Sequence, residues 1–210
     1  MHPFDIRAMV DQLLPRGGSG HVAHATDSSV HLPEPPGLHP PRRGTRMMGF
    51  MDTSELIRSV PTDLFRGGEW VPAGNRATFP VHNPATGDVL AEVADATPDD
   101  AMRALDAAVT AGRGWAATPP RERAELLRAV WAKISERADD IALLMTLEMG
   151  KALPESRSEV AYGAEFLRWF SEEAVRIAGR YTPAPAGNGR ILVTKQLVGP
   201  CLAITPWNFP

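Results

Sequence analysis

The sequence predicts an α/β fold in which β-hairpins come first, amphipathic helices follow and a buried strand of a parallel sheet comes last. Turn-rich segments separate short β-rich stretches between residues 63 and 93. Apolar residues then recur at helical spacing over roughly residues 97–178. The final apolar run, residues 201–205, is short and unalternating, which is typical of a strand buried on both faces.

The composition indicates a soluble globular protein. The chain is 43% hydrophobic, which is enough for a core. Its 22 Lys and Arg against 25 Asp and Glu give a net charge of −3, so no basic field attracts nucleic acid. No apolar run approaches the ~20 residues that span a bilayer, so we expect no membrane segment. A lone cysteine, Cys201, and the absence of a recognisable export signal predict a cytoplasmic protein.

The first 52 residues differ from the rest. Residues 15–48 are rich in Gly, Pro, Ser, His and Arg, a composition that buries too little apolar surface to offset its ordering entropy. We predict either a disordered extension over residues 1–52, with at most a short helix over residues 5–14, or a translation start placed too far upstream. Three methionines stand just before the first patterned segment: Met47, Met48 and Met51.

Turn and cap residues set the expected order of elements over residues 53–180. Gly67-Gly68 predicts one hairpin, and the turn over residues 83–88 predicts a second. Helix starts are expected at Thr97-Pro98, Thr118-Pro119 and Asp139-Asp140, and a helix end at Gly150. A longer helix is expected over about residues 154–178. Its inward face is predicted to carry Val160, Ala164, Leu167, Phe170, Ala174 and Ile177, as Ala101, Leu105, Ala108 and Val109 do on the first helix.

The segment Ile204-Thr205-Pro206-Trp207-Asn208-Phe209-Pro210 is the strongest candidate for a functional site. There the predicted buried strand runs into a Pro-flanked turn, and ligands of open α/β sheets bind at the carboxyl ends of strands. The Asn208 carboxamide can donate, and fixed amide donors stabilise the oxygen charge that develops in acyl transfer. From spacing alone, a buried Trp and a turn-capping Asn with structural roles fit the motif as well.

Residues 63–210 resemble the aldehyde dehydrogenase superfamily, with matching segments in the expected order. The segments are Asn83-Pro84-Ala85-Thr86-Gly87, residues 115–123, Leu147-Glu148-Met149-Gly150-Lys151, Glu159-Val160-Ala161-Tyr162 and residues 202–210. Trp169-Phe170-Ser171-Glu172-Glu173-Ala174, followed by Arg180-Tyr181 and Pro183-Ala184, is similar to the succinate-semialdehyde branch in particular.

The resemblance implies an incomplete aldehyde dehydrogenase-like fold that ends with the first strand and turn of a Rossmann-like sheet, residues 200–210. It implies a small aldehyde substrate, with succinate semialdehyde oxidised to succinate, and NAD or NADP as cofactor. Asn208 would be the oxyanion donor. The cofactor would lie along Ile204, Thr205, Pro206, Trp207 and Asn208.

Two further expectations follow from the resemblance. The strand over residues 190–198 belongs to an arm, residues 181–199, that is exchanged between subunits, so a homo-oligomer is implied; an ordinary edge strand is the alternative. The family's Cys nucleophile and general-base Glu come downstream of the Asn208 motif, so this chain is expected to be inactive alone. Another semialdehyde or general aldehyde dehydrogenase, or a non-catalytic oligomerisation fragment, remain alternatives.

Other reactive side chains are interpreted structurally. Cys201 is predicted to be an inert buried thiol inside the last strand. Lys151, with Glu148, is assigned to a helix end, where a cation complements the helix dipole. The histidines lack metal-ligand spacing, so no metal site is predicted.

Overall fold

The computed structural model describes residues 52–210. The predictions for residues 1–52 and for a helix over residues 5–14 lie outside this range, apart from Asp52, which caps the first helix. In chain order the elements are α1 (Thr53–Ser59), β1 (Leu64–Arg66), β2 (Glu69–Val71), β3 (Thr78–His82), β4 (Val89–Ala94), α2 (Pro98–Ala117), α3 (Pro120–Glu136), α4 (Ala138–Met149), α5 (Leu153–Glu173), β5 (Arg180–Pro183) and β6 (Arg190–Val193).

The strands form three separate antiparallel pairs, β1–β2, β3–β4 and β5–β6. Gly67 and Gly68 join the first pair with φ of 64° and 94°, the left-handed backbone that a tight hairpin turn needs. The second pair carries a register shift between Val81 and His82. Both early hairpins are therefore present where the turn residues predict them.

The start of α2 is fixed by a capping box. Thr97 is the N-cap and Pro98 the first helical residue, as predicted. The Thr97 hydroxyl and the Asp100 carboxylate bond each other's backbone N–H groups. Asp100 is buried and also accepts from the Gly74 N–H at 2.9 Å and from Arg66, so the same carboxylate ties α2 to β1 and the loop after β2.

The helical layer is centred on α5, which packs against both α3 and α4. Small buried residues at the crossings let the helix backbones approach each other: Ala124, Ala142, Ser156 and Ala164. The Ser156 hydroxyl hydrogen-bonds Thr146 of α4 at 2.9 Å. These contacts join α3, α4 and α5 into one packed helical layer, against which the end of the chain lies.

Several predicted inward faces are in fact exposed. On α2, Leu105 and Val109 are exposed. On α5, Val160 is buried and Phe170 is exposed, and Ile177, which was predicted to belong to this helix, is exposed in the segment that follows it. The periodicity correctly placed Leu105, Val109 and Phe170 on helices, but not Ile177, and within residues 52–210 no element covers the exposed faces. Helix α5 also ends at Glu173 and not near residue 178, because the chain turns away there through an Arg176 N–H bond to the Glu173 carbonyl.

The prediction of a buried strand over residues 201–205 is wrong for this structure. The segment forms no strand, and Leu202 and Ile204 are 86% and 85% exposed. A parallel strand needs a neighbour for its backbone groups and a helix on each face, and the described residues supply neither to this segment. The strand predicted over residues 190–198 likewise ends at Val193.

None of the helices in the described range is long and apolar enough to cross a membrane.

Candidate functional site

The last residues of the chain are held by a lysine that follows α4. Helix α4 ends at Gly150, whose φ of 77° turns the chain so that Lys151 enters the space beside α5. Its ammonium forms an ion pair with Glu159 of α5 and donates to the backbone carbonyl of Asn208 at 2.9 Å. The same ammonium lies 4.5 Å from the centre of the Phe209 ring.

Residues 206–209 form a turn above this lysine. The Phe209 N–H donates to the Pro206 carbonyl at 3.0 Å, which puts Trp207 and Asn208 at the corners of the turn. A cleft of about 600 Å³ lies between this 206–209 turn and the start of α5, and its walls include Met149, Glu159, Tyr162 and Asn208.

The structure places Asn208 on the cleft, with its main chain anchored and its carboxamide without a hydrogen bond to any of residues 52–210. An anchored backbone and an uncommitted amide donor are what stabilisation of a developing oxyanion requires. The assignment of Asn208 as that donor stays a prediction.

The other predicted cofactor residues are not gathered around this cleft. Ile204, Thr205, Pro206 and Trp207 are exposed, Trp207 to 82%, and none of them lines it. They lie outside any strand, and apart from the Pro206 carbonyl, which accepts the Phe209 N–H, their backbone groups form no hydrogen bond within residues 52–210. Their contact with a dinucleotide also stays a prediction.

Sequence reasoning missed the role of Lys151 and Glu159. It assigned Lys151 to the helix dipole, whereas the side chain pairs with Glu159 and reaches Asn208. The two residues are separated by a helix boundary, so no helical spacing links them. The available signal was that both lie in segments with a family resemblance. Glu148, in the same segment, does not line the cleft; desolvation raises the pKa of its carboxyl.

Cys201 is exposed, which corrects the prediction of a buried thiol. Its Sγ lies 3.6 Å from the Gly199 carbonyl oxygen. The prediction assumed that residues 201–205 form a covered strand, and the exposure follows from the absence of that strand.

A model of the aldehyde dehydrogenase family matches residues 70–210. This chain belongs to the aldehyde dehydrogenase family. The match includes the cleft, Lys151, Glu159 and Asn208, so every residue of the candidate site lies inside the aldehyde dehydrogenase range.

Relatives and solved structures agree with this membership. A succinate-semialdehyde dehydrogenase of Paenarthrobacter nicotinovorans is 61% identical over 122 residues, covering 58% of this chain and 27% of the relative. The NADP(+) succinate-semialdehyde dehydrogenase of Escherichia coli (strain K12) is 44% identical over 154 residues, covering 71% and 32%. A betaine aldehyde dehydrogenase structure from Staphylococcus aureus in complex with NAD+ matches with a TM-score of 0.71 at 31% identity, covering 75% and 32%.

The predicted α/β aldehyde dehydrogenase-like fold is confirmed by the match to this solved structure. The chain spans about a third or less of the length of the aldehyde dehydrogenases it matches.

Proposed function

We propose that this chain is the amino-terminal part of a cytoplasmic NAD(P)-dependent aldehyde dehydrogenase that oxidises succinate semialdehyde to succinate. Within it, residues 53–180 form the hairpins and helices, residues 181–199 the arm, and residues 200–210 the entry to the dinucleotide-binding sheet. Family membership and the 61% identity to a succinate-semialdehyde dehydrogenase support the reaction. The observation that carries the proposal is the Asn208 carboxamide, which stands uncommitted on the cleft while its backbone is held.

The role of Asn208 is to donate an N–H to the substrate oxygen. When a thiolate adds to an aldehyde, the carbonyl oxygen gains negative charge, and a donor already aimed at it stabilises the transition state without reorganising. NAD or NADP, when bound, accepts the hydride from the aldehyde carbon. The exposed backbone and indole over residues 204–207 offer donors and acceptors that suit ribose hydroxyls.

Substitution of Asn208 tests the proposal. In the full-length polypeptide that carries these residues, we expect Asn208→Ala to lower kcat on succinate semialdehyde by roughly 10²–10³-fold with little change in KM, because only a transition-state contact is lost. Asn188→Ala, in the turn between β5 and β6, is the matched control and should keep full activity. Unchanged kcat in Asn208→Ala would refute the role of Asn208. If the unsubstituted polypeptide turns over glutarate semialdehyde faster than succinate semialdehyde, the substrate would be reassigned.

The 210 residues alone are proposed not to turn over. Their one cysteine, Cys201, lies in an exposed segment and not on the cleft, so it is not placed to attack an aldehyde beside Asn208. The measurement is NAD(P)H absorbance with succinate semialdehyde and purified 210-residue chain. Aldehyde-dependent turnover that disappears in a Cys201→Ser variant would overturn this statement.

We further propose that the β5–β6 arm joins subunits in a homo-oligomer. Tyr181 and Leu192 are cross-strand partners on the arm and are 68% and 70% exposed. Paired apolar side chains left in solvent are characteristic of a contact surface.

A further inference from the structure

We propose that Lys151, oriented by Glu159, is a positioning residue that fixes the 206–209 turn and thereby the direction of the Asn208 carboxamide. The inference deepens the proposed function and rests on it for its catalytic consequence. Its structural part, that Lys151 holds the turn, stands independently.

Lys151 and Glu159 form a firm base. Their side chains are 12% and 11% exposed, so the ion pair is largely withdrawn from solvent and is poorly screened by salt. Glu159 belongs to α5, which packs on α3 and α4. The ammonium is therefore held against the packed helices α3, α4 and α5.

Lys151 makes two contacts with the chain just after the Asn208 Cα atom. The hydrogen bond to the Asn208 carbonyl fixes the peptide plane that follows the residue, and the Phe209 ring sits against the same ammonium. Because the hydrogen bond uses the main chain of Asn208, the carboxamide stays available for another acceptor.

Within residues 52–210, few other hydrogen bonds hold the turn. Its internal hydrogen bond joins Phe209 to Pro206, Trp207 is 82% exposed, and the preceding residues 194–205 form no strand. Lys151 reaches Asn208 across 57 residues of sequence. The position of the turn relative to the helical layer therefore depends on this lysine.

The catalytic consequence concerns the orientation of the Asn208 carboxamide. An oxyanion donor is effective when it is held in place before the reaction, and a displacement of about 1 Å can cost as much as 10²-fold in rate. Glu159 already balances the ammonium charge, so Lys151 acts on Asn208 through its hydrogen bond and not as a free cation in the cleft.

The structural part is tested on the 210-residue chain by the mobility of a nitroxide at position 207. The label is attached through Trp207→Cys in a Cys201→Ser background, and its spectrum reports local motion whatever the association state. We expect Lys151→Met to shorten the rotational correlation time several-fold. Lys195→Met, which removes an exposed lysine that does not line the cleft, is the matched control and should leave the spectrum unchanged.

Two further variants separate loss of the contact from loss of the fold. Lys151→Met combined with Glu159→Gln removes both charges, so no buried charge is left alone and the helical layer keeps its circular dichroism. This double variant should shorten the rotational correlation time of the label as much as Lys151→Met does. Glu159→Gln alone keeps the lysine donor, so it should shorten the correlation time less. An immobile label in the folded double variant would overturn the inference.

The catalytic part is tested by a double-mutant cycle in the full-length polypeptide. We expect Lys151→Met to lower kcat roughly 10-fold with KM little changed, and to cost nothing further once Asn208 is Ala, since its effect passes through that side chain. Additive losses would overturn the link between Lys151 and Asn208. If Asn208→Ala itself leaves kcat unchanged, the proposed function fails, whereas the nitroxide result still decides whether Lys151 holds the turn.

Discussion

Asp100 shows how one residue can join distant parts of this chain. Its carboxylate is buried and accepts hydrogen bonds from the Gly74 N–H, from Thr97 and from Arg66. The Gly74 backbone bond and then the Thr97 bonds hold the pKa of this carboxyl well below its usual range. All of these donors favour the charged form, so the native state is stabilised when Asp100 is ionised.

We predict that Asp100→Asn lowers stability at neutral pH and that this effect fades in acid. A depressed native pKa contributes stability above the unfolded-state pKa of about 3.9, and that contribution is lost as the pH falls through the lowered native pKa. Urea midpoints from pH 7 to pH 2 should show a gap between wild type and variant that narrows below about pH 4. Asp99→Asn, on the exposed side of the same helical turn, is the control. A gap that is constant with pH would contradict the assignment.

At the scale of elements, Gly150 at the end of α4 and Gly163 inside α5 differ in whether the position requires glycine. Gly150 ends α4 with φ of 77°, and a Cβ there would lie 3.1 Å from Pro84. Gly163 lies inside α5, where a Cβ would meet nothing within 4 Å. The first position needs glycine for its backbone, and the second does not.

Alanine at the two positions should therefore act in opposite directions. We expect Gly150→Ala to destabilise the chain by about 1–2 kcal/mol, because a left-handed backbone is strained for a residue with a Cβ. Gly163→Ala should stabilise it by about 0.5–1 kcal/mol, because alanine loses less entropy in a helix. Paired chemical denaturation curves measure both. Equal effects at the two sites would refute the distinction.

The elements that sequence predicts well are those specified by neighbouring residues. The Thr97-Pro98 start, the Gly67-Gly68 turn and the Gly150 end each depend on backbone preferences within a few residues, and all three are present. The strand expected over residues 201–205 depends on partners from elsewhere in a sheet, and it is absent. The Lys151–Asn208 contact was also not predicted, because the two residues are 57 positions apart in the sequence and only packing brings them together.

At the scale of the whole molecule, apolar side chains remain on several surfaces of the described range. Leu105 on α2, Trp169 on α5 and Leu192 on β6 are all exposed. Contiguous apolar patches of more than a few hundred Å² mark contact surfaces on soluble proteins, whereas single exposed apolar residues are common. The helical layer is packed, whereas the arm and the outer helix faces are not covered by residues 52–210.

The arm gives a test at this scale. If the Tyr181–Leu192 pair lies at a contact between copies, the 210-residue chain should associate as its concentration rises, which sedimentation velocity measures. Leu192→Lys should shift the chain towards monomer, because a buried unpaired charge opposes the contact. Leu202→Lys is the matched control: that leucine is 86% exposed but lies outside the arm, so its replacement should leave association unchanged. Equal loss of association in both variants would point to general hydrophobic aggregation, and a chain that stays monomeric at every concentration would contradict a subunit contact through the arm.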